Sequence, residues 1–360
     1  MNLRIKYIII SIAFLILIST LSASDSAFQR TETMYFSDSI NVVKISNLCG
    51  TIEFSNYEEE VFYQSLIFTD EGKIEESRRL SSLTQIKTYL KADTLFIVAN
   101  YPVTELKEIK YKGAGNFFSD NIEASYQSQN VIVSPRGGIE TYIDFKIGIP
   151  HDVTVILETV VSKVFLDHVD FDIKLNSQYT DLKGVISDCN FTCNTARAIC
   201  EFEGIHGGCN IKSRKSLDFE ISQDLAGSLI LNCNEGDIDI ETDIKSDILR
   251  IHEKSGKLTF SGICPDSVFI ETSDVAIRLE VKDNPGNCRI ITDSGNSQYY
   301  FKDNLFGEID IATKSGNIKC NSDFPIVYSN DDKIATFKSD QAGRLFIRSN
   351  DADIDLKIFD

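Results

Sequence analysis

The chain has 360 residues, enough for one large domain or two ordinary ones. Its 54 acidic residues against 36 basic ones give a formal net charge of -18, so nucleic acid and anionic headgroups are not the expected partners. With 23 Phe and 13 Tyr, the acidity does not signal disorder, because the aromatic surface is sufficient for a packed core.

Residues 1–23 carry Arg4 and Lys6, then an apolar run from Tyr7 to Ile18 broken only by Ser11, then a small-residue exit through Ser19, Thr20, Ser22 and Ala23. That order is a secretory signal peptide, and the run is shorter than the roughly twenty apolar residues of a membrane span. Cleavage is expected near Ala23, with Ala27 as a second position and an uncleaved N-terminal anchor as the alternative. No cysteine follows the run to carry a lipid, and no later stretch is long and apolar enough to cross a bilayer.

Residues 24–150 read as an N-terminal β region. Alternation gives strands over Ile40–Ile45, Gly50–Phe54 and Val61–Phe68. The charged segment Glu71–Ser82 is either one or two helical turns or a solvated loop. Gln85–Leu90 and Thr94–Ala99 form a hairpin around Lys91-Ala92-Asp93. Residues 102–129, rich in Gly, Ser and Asn, are an irregular insertion with one or two weak strands. Tyr142–Ile149 is a strand again, stopped by Pro150.

From residue 151 to 360 the sequence repeats. Strands are expected over 153–157, 163–166, 171–175, 189–193, 198–202, 209–212 and 217–221. Beyond them two series interleave, each recurring about every twenty residues. One restarts at Gly236, Gly256, Asp274, Gly295 and Gly316; the other restarts at Gly227, Ser246, Asp266, Gly286 and Gly307. Each restart is a small or turn-forming residue followed by alternating apolar and polar side chains. The last segments, Gly343–Arg348 and Ala352–Ile358, read as a charged hairpin that caps the C-terminal end. The fold expected is all-β: a single elongated β-solenoid with coils of roughly 20 residues and two short strands per coil.

Stacking explains why such units repeat. One two-stranded coil buries too little apolar surface to offset its ordering entropy. Stacking sets Ile238 and Ile240 on Leu258 and Phe260, and those on Ile277 and Leu279. Each such side chain contributes roughly 1.5–3 kcal/mol. Asp237, Asp239 and Glu241 must then face water, and a one-residue slip would bury them, so register is specified.

The nine cysteines are an odd number, so at least one thiol is unpaired within the chain or paired between chains. Cys189, Cys209 and Cys288 occupy inward slots of repeated strands and Cys320 lies at the end of one. Buried thiols acting as small hydrophobes are one reading. A disulfide between Cys189 and Cys209, stacked if coils are twenty residues long, is the other. A metal site from Cys189, Cys193, Cys200, His206 and Cys209 fits zinc spacing only loosely. The acidic rows Asp237, Asp239, Glu241, Asp243 and Asp351, Asp353, Asp355 can be read as calcium ligands or as a solvated face. No serine-hydrolase elbow, zinc-protease helix or phosphate loop occurs, so no catalytic residue and no cofactor is expected.

Three phrases carry a family resemblance. They are Ile45-Ser-Asn-Leu-Cys-Gly-Thr-Ile-Glu-Phe54 followed by Tyr57-Glu-Glu-Glu-Val61, the stretch Phe145–Leu157, and the repeated units Ser255–Phe260 and Ser315–Cys320. Together they resemble the putative adhesin family, exported bacterial β-strand-repeat proteins with a domain of unknown function. The resemblance spans most of the mature chain and implies an exported, non-catalytic protein that binds an envelope, glycan or protein ligand. The cysteine content and the 102–129 insertion depart from the family pattern. A carbohydrate-active enzyme on the same scaffold, or a purely structural envelope protein, are the alternatives.

Overall fold

The computed structural model describes residues 26–359 except 37–38, 59, 112–118, 244–245, 264, 284–285, 303–304, 322–325, 330–331 and 339–342. The expected signal peptide over 1–23 lies outside the described residues. Among them the protein is all-β, with one ten-residue helix, and no helix is long and apolar enough to cross a membrane. The chain divides into two compact units, Met1–Phe165 and Leu166–Asp360.

In unit 1, β1 (Ala27–Phe36), β2 (Val42–Asn56) and β3 (Val61–Asp70) precede the helix α1 (Ile74–Leu83). The charged segment is therefore helical. Glu75 and Glu76 sit in its first turn, where the helix dipole favours them, and Leu80 is its buried apolar contact. β4 (Gln85–Lys91) and β5 (Thr94–Asn100) form the expected antiparallel hairpin, turning where Ala92 takes a positive φ of 56°. β6 (Glu108–Lys110) and β7 (Ile122–Tyr126) are the two strands within the 102–129 segment. β8 (Gln129–Ser134) pairs with β7, and β9 (Ile139–Ile149) runs antiparallel to β3, which also holds β1. β10 (Thr154–Val169) runs through the boundary between the units.

β2 is one bent strand rather than two. Its first half pairs parallel with β5 and its second half parallel with β9. At the bend Gly50 has φ 147°, and a Cβ there would collide with the Ile143 carbonyl oxygen, so only glycine fits. Asn47 donates from Nδ2 to the Ile143 carbonyl at 2.8 Å, and the Tyr101 hydroxyl lies 2.8 Å from Asn47 Oδ1 and 2.9 Å from the Cys49 carbonyl oxygen. Asn47, Cys49 and Gly50 belong to the phrase Ile45–Phe54, and Tyr101 and Ile143 join them from elsewhere in the chain. A buried polar knot at a change of strand partner accounts for them.

Unit 2 is built by parallel pairing. β11 (Ile173–Asn176) and β12 (Tyr179–Ile186) lie on the two halves of β13 (Asn190–Ile205). β14 (Gly208–Leu225), β15 (Ser228–Thr242), β16 (Ile248–Ile263) and β17 (Ser267–Asp283) follow, each long, bent, and parallel to the one before. Register sets Ile238 and Ile240 beside Leu258 and Phe260, and those beside Ile277 and Leu279, as the alternation requires. All six side chains are buried, while Asp237, Asp239 and Glu241 are exposed. On the far side of β17, its two halves are matched by β18 (Asn287–Ser294) and β19 (Asn296–Lys302).

The order of the last strands departs from the sequence reading. β20 (Glu308–Thr313) and β21 (Ile318–Cys320) do not follow β18 and β19 in space. β24 (Arg344–Ser349) lies between β18 and β20, and β25 (Asp353–Phe359) lies between β19 and β21. The expected C-terminal capping hairpin is thus a pair of inserted strands, each parallel to two neighbours. β20 is instead covered by β23 (Asp332–Lys338), which pairs antiparallel with β22 (Ile326–Ser329). The physical reason is that Leu345, Ile347, Ile354 and Leu356 are buried to 2 % or less, a depth that a terminal strand pair does not offer.

Candidate functional site

The side chains of unit 2 that do not enter its interior form regular outward columns, because parallel strands in register place equivalent residues roughly 4.8 Å apart. On the first half of each bent strand one column reads Asn210, Ile230, Arg250, Phe269, Arg289 and Phe346. Its guanidinium groups and rings are stacked on one another. Arg250 lies 5.8 Å from the Phe269 ring centroid, and Arg289 lies 6.0 Å from Phe269 and 5.3 Å from Phe346. Arg348, one outward step along β24, lies 4.0 Å from Phe346. Such stacking holds a guanidinium by its face and leaves its N–H edge free to meet an anion. Arg348 already meets Asp310 at 2.6 Å, and His252 faces Glu271 at 3.5 Å. Arg250 and Arg289 have no carboxylate partner among the described residues.

On β14 and β15 the second half carries the opposite charge. Asp218 faces Asp237 and Glu220 faces Asp239 on β14 and β15, and Glu201 precedes Glu220 in the same column. Glu201 is paired with Lys183 at 2.5 Å, and Lys257 stands beside Asp237 in register. The crowding is felt: partial burial, then the charges of Asp237 and Glu201, push the Asp218 carboxyl above its ordinary range. Like charges placed directly opposite are unfavourable between strands.

Between the two faces lies a buried corner. Thr195 Oγ1 donates to the Arg197 carbonyl at 2.8 Å, Ser213 Oγ to Ser216 at 2.7 Å, and Thr292 Oγ1 to Ser294 at 2.9 Å. The corner column continues as Cys233, Glu253, Thr272, Thr292, Ser349 and Thr313. Glu253 is the exception in chemistry: it is fully buried, and neither carboxyl oxygen has a hydrogen-bond partner of good geometry. Burial, then the charge of Asp237, pushes it up to about 8, with the Gly236 backbone amide easing it slightly. It fits because Gly236 and Gly256 lie alongside; a Cβ at either would come within 2.6 or 2.5 Å of Glu253 Oε1.

The sequence-derived candidates fall as follows. Cys189 and Cys209 are buried, separate thiols. Here the repeat is 18 residues, so Cys209 stands beside Phe191, two positions from Cys189, and the stacking that a disulfide required is not present. Cys189 Sγ instead lies 3.4 Å from the Val169 carbonyl oxygen. Burial raises the thiol of Cys189 to about 12 and that of Cys193 to about 12, and pushes Cys200 and Cys209 well up, so these thiols stay protonated and unreactive at neutral pH. No group of His, Cys, Asp or Glu that could hold a metal occurs among the described residues. In the 102–129 segment, the Tyr126 hydroxyl lies 2.5 Å from the Ala99 carbonyl oxygen and ties β7 to β5; residues 112–118 lie outside the described set. The Arg–Phe column and Glu253 were missed in the sequence. The signal for the first was present as Arg250, Phe269 and Arg289 at equivalent points of successive repeats.

No family model matches the chain, and no curated protein matches it. Solved structures do resemble it. A putative cell adhesion protein from Clostridium sporogenes ATCC 15579 is 12% identical, with 92% of this chain and 100% of that chain covered and a TM-score of 0.21. A putative adhesin from Parabacteroides merdae ATCC 43184 is 8% identical over 92% of this chain and 96% of that one, with a TM-score of 0.33. Another from Bacteroides fragilis NCTC 9343 is 10% identical over 92% and 97%, with a TM-score of 0.26. The names of these structures are those to which the sequence phrases point. At such TM-scores the role of this chain is left to its own geometry.

Proposed function

We propose that the protein is an exported, adhesin-like component of the cell envelope or surface that acts by binding and not by catalysis. In this reading the in-register strands of unit 2 are the coils of a β-solenoid, and their outward columns are the recognition surface. The observation that carries it is the continuity of those columns: from Asn210 to Phe346 six successive strands present equivalent outward residues with no break. A surface of this kind offers many equal contacts and suits adhesion to an extended envelope, glycan or protein ligand.

Protease treatment of intact cells, followed by detection of the full-length chain, tests the placement. Loss of the chain is the expected result, and full protection would move the protein to the periplasm and remove the adhesin reading. A glycan array run beside an assay for released reducing sugar tests the chemistry. Binding without release is expected. Release would favour the carbohydrate-active alternative, and neither binding nor release would favour a purely structural role.

A further inference from the structure

The two outward faces of unit 2 each lack what the other has. Arg250 and Arg289 are exposed, are held by their faces against Phe269 and Phe346, and have no anionic partner among the described residues. Asp218, Glu220, Asp237 and Asp239 form an exposed block of four carboxylates on two adjacent strands, with Lys257 alone beside them in register. The two groups sit on different strands, the arginines on β16 and β18 and the carboxylates on the second halves of β14 and β15, with the buried corner column between the two faces. They cannot meet within one molecule.

We propose that unit 2 binds a second copy of this chain, the stacked guanidinium column of one molecule meeting the carboxylate block of the next. The complement is already present in the chain, in extended form: the carboxylates face one another on adjacent strands roughly 4.8 Å apart, and the arginines stand on alternate strands at about twice that spacing. Guanidinium to carboxylate is a strong, fork-shaped pairing, and a guanidinium already held by a ring loses less freedom in making it. The other occupants fit less well. Phe269 and Phe346 are half-buried beneath the guanidinium groups, so they are not free to insert into a lipid surface, and a net charge of -18 opposes nucleic acid. Because one face meets a different face, the contact is heterologous, and each added copy leaves one basic and one acidic face open. The product is a chain of copies and not a closed pair.

Sedimentation of the full mature chain in about 0.15 M salt, where charges further apart than about 8 Å are screened, tests this, run with and without a chelator. The wild type should self-associate, growing in size with concentration. Arg250→Glu with Arg289→Glu should weaken association at least tenfold, and so should Glu220→Lys with Asp239→Lys. All four positions are exposed, so both variants should keep the wild-type circular dichroism spectrum and melting temperature. Mixing the two variants should restore association, because each retains the face that the other has lost. A wild type that stays monomeric at every concentration overturns the proposal. So does association that survives both reversals, a folded pair of variants that fails to associate on mixing, or association that disappears with chelator and thus depends on a bridging cation. None of these outcomes bears on whether the protein binds a foreign ligand.

Discussion

In unit 1 the bend of β2 is closed by a particular set of groups: Asn47 bonded to the Ile143 carbonyl, Tyr101 bonded to Asn47 and the Cys49 carbonyl, and Gly50 packed where no side chain fits. In unit 2 the bends are closed by one column of small hydroxyl residues, used again on strand after strand. Aromatic contacts differ in the same way. Unit 1 sets Tyr63 edge-on to Phe145 and stacks Phe68 on Tyr142 across antiparallel neighbours, while unit 2 runs Phe191, Phe202 and Phe219 through its interior. A one-off bend depends on particular atoms, so losing one partner strands the other. A repeated bend depends on register, so it tolerates variety at each step and even a carboxylic acid at one of them.

The largest test of this contrast is in the interior of unit 2. Phe260→Ala removes a ring stacked between Ile240 and Leu279, and should cost about 3–5 kcal/mol. Hydrogen exchange read separately in the two units should show lost protection in unit 2 with unit 1 unchanged. An equal loss in both would break the distinction.

Glu253 gives the next largest effect. Its ordinary value is 4.5 and the fold raises it to about 8. Between these values Glu253 is ionised in the unfolded chain and protonated in the folded one, so its contribution to stability falls as pH rises from 4.5 to 8 and is level outside that window. Glu253→Gln should remove this contribution to the slope, stabilising the protein by roughly 2–4 kcal/mol at pH 9 and by little at pH 4, since each pH unit is worth about 1.36 kcal/mol. Urea unfolding at both pH values measures it, and a gain at pH 4 equal to that at pH 9 would mean the burial of charge is not the cause.

In unit 1, Tyr101→Phe leaves Asn47 Oδ1 and the Cys49 carbonyl oxygen buried without the hydroxyl, at a cost of about 1–3 kcal/mol. The corner of unit 2 should be more forgiving: Thr292→Val, which keeps the shape and removes the hydroxyl, should cost about 0.5–1.5 kcal/mol. Denaturant midpoints of the two variants sharpen the comparison, and the reverse ranking would contradict it. The smallest effect is on the acidic face. Asp218→Asn relieves the charges of Asp237 and Glu201, and should raise stability by roughly 0.2–1 kcal/mol at neutral pH, less in high salt.

Much of this architecture was legible because alternation and spacing are local signals. Ile238, Ile240, Leu258, Phe260, Ile277 and Leu279 could be stacked from their spacing alone, and the hairpin of β4 and β5 announced itself. Spatial order is a different matter. Arg344–Ser349 alternates equally well beside β18 or at the end of the array, so nothing local says that it inserts. The Cys189–Cys209 pairing failed for a related reason: an average repeat of twenty residues hid a local one of eighteen, and a shift of two positions is enough to separate the thiols. The outward Arg–Phe column joins residues from four separate strands, and only the register brings them together. Glu253 follows Leu249 and Ile251 at alternate positions and so falls inward, but as a carboxylic acid it reads as a break in the apolar pattern, and the room beside it at Gly236 and Gly256 shows only in the register.

The insertion of β24 and β25 has a consequence for how the molecule is made. A polypeptide emerges from the ribosome in sequence order, yet β20 and β21 take two of their final neighbours from strands that appear after them. Until residue 359 is out, the edge of β18 and β19 is vacant and β20 has the wrong place open to it. Assembly of this end must therefore wait for β24 and β25, and any truncation that removes them takes away an interior layer instead of trimming an edge.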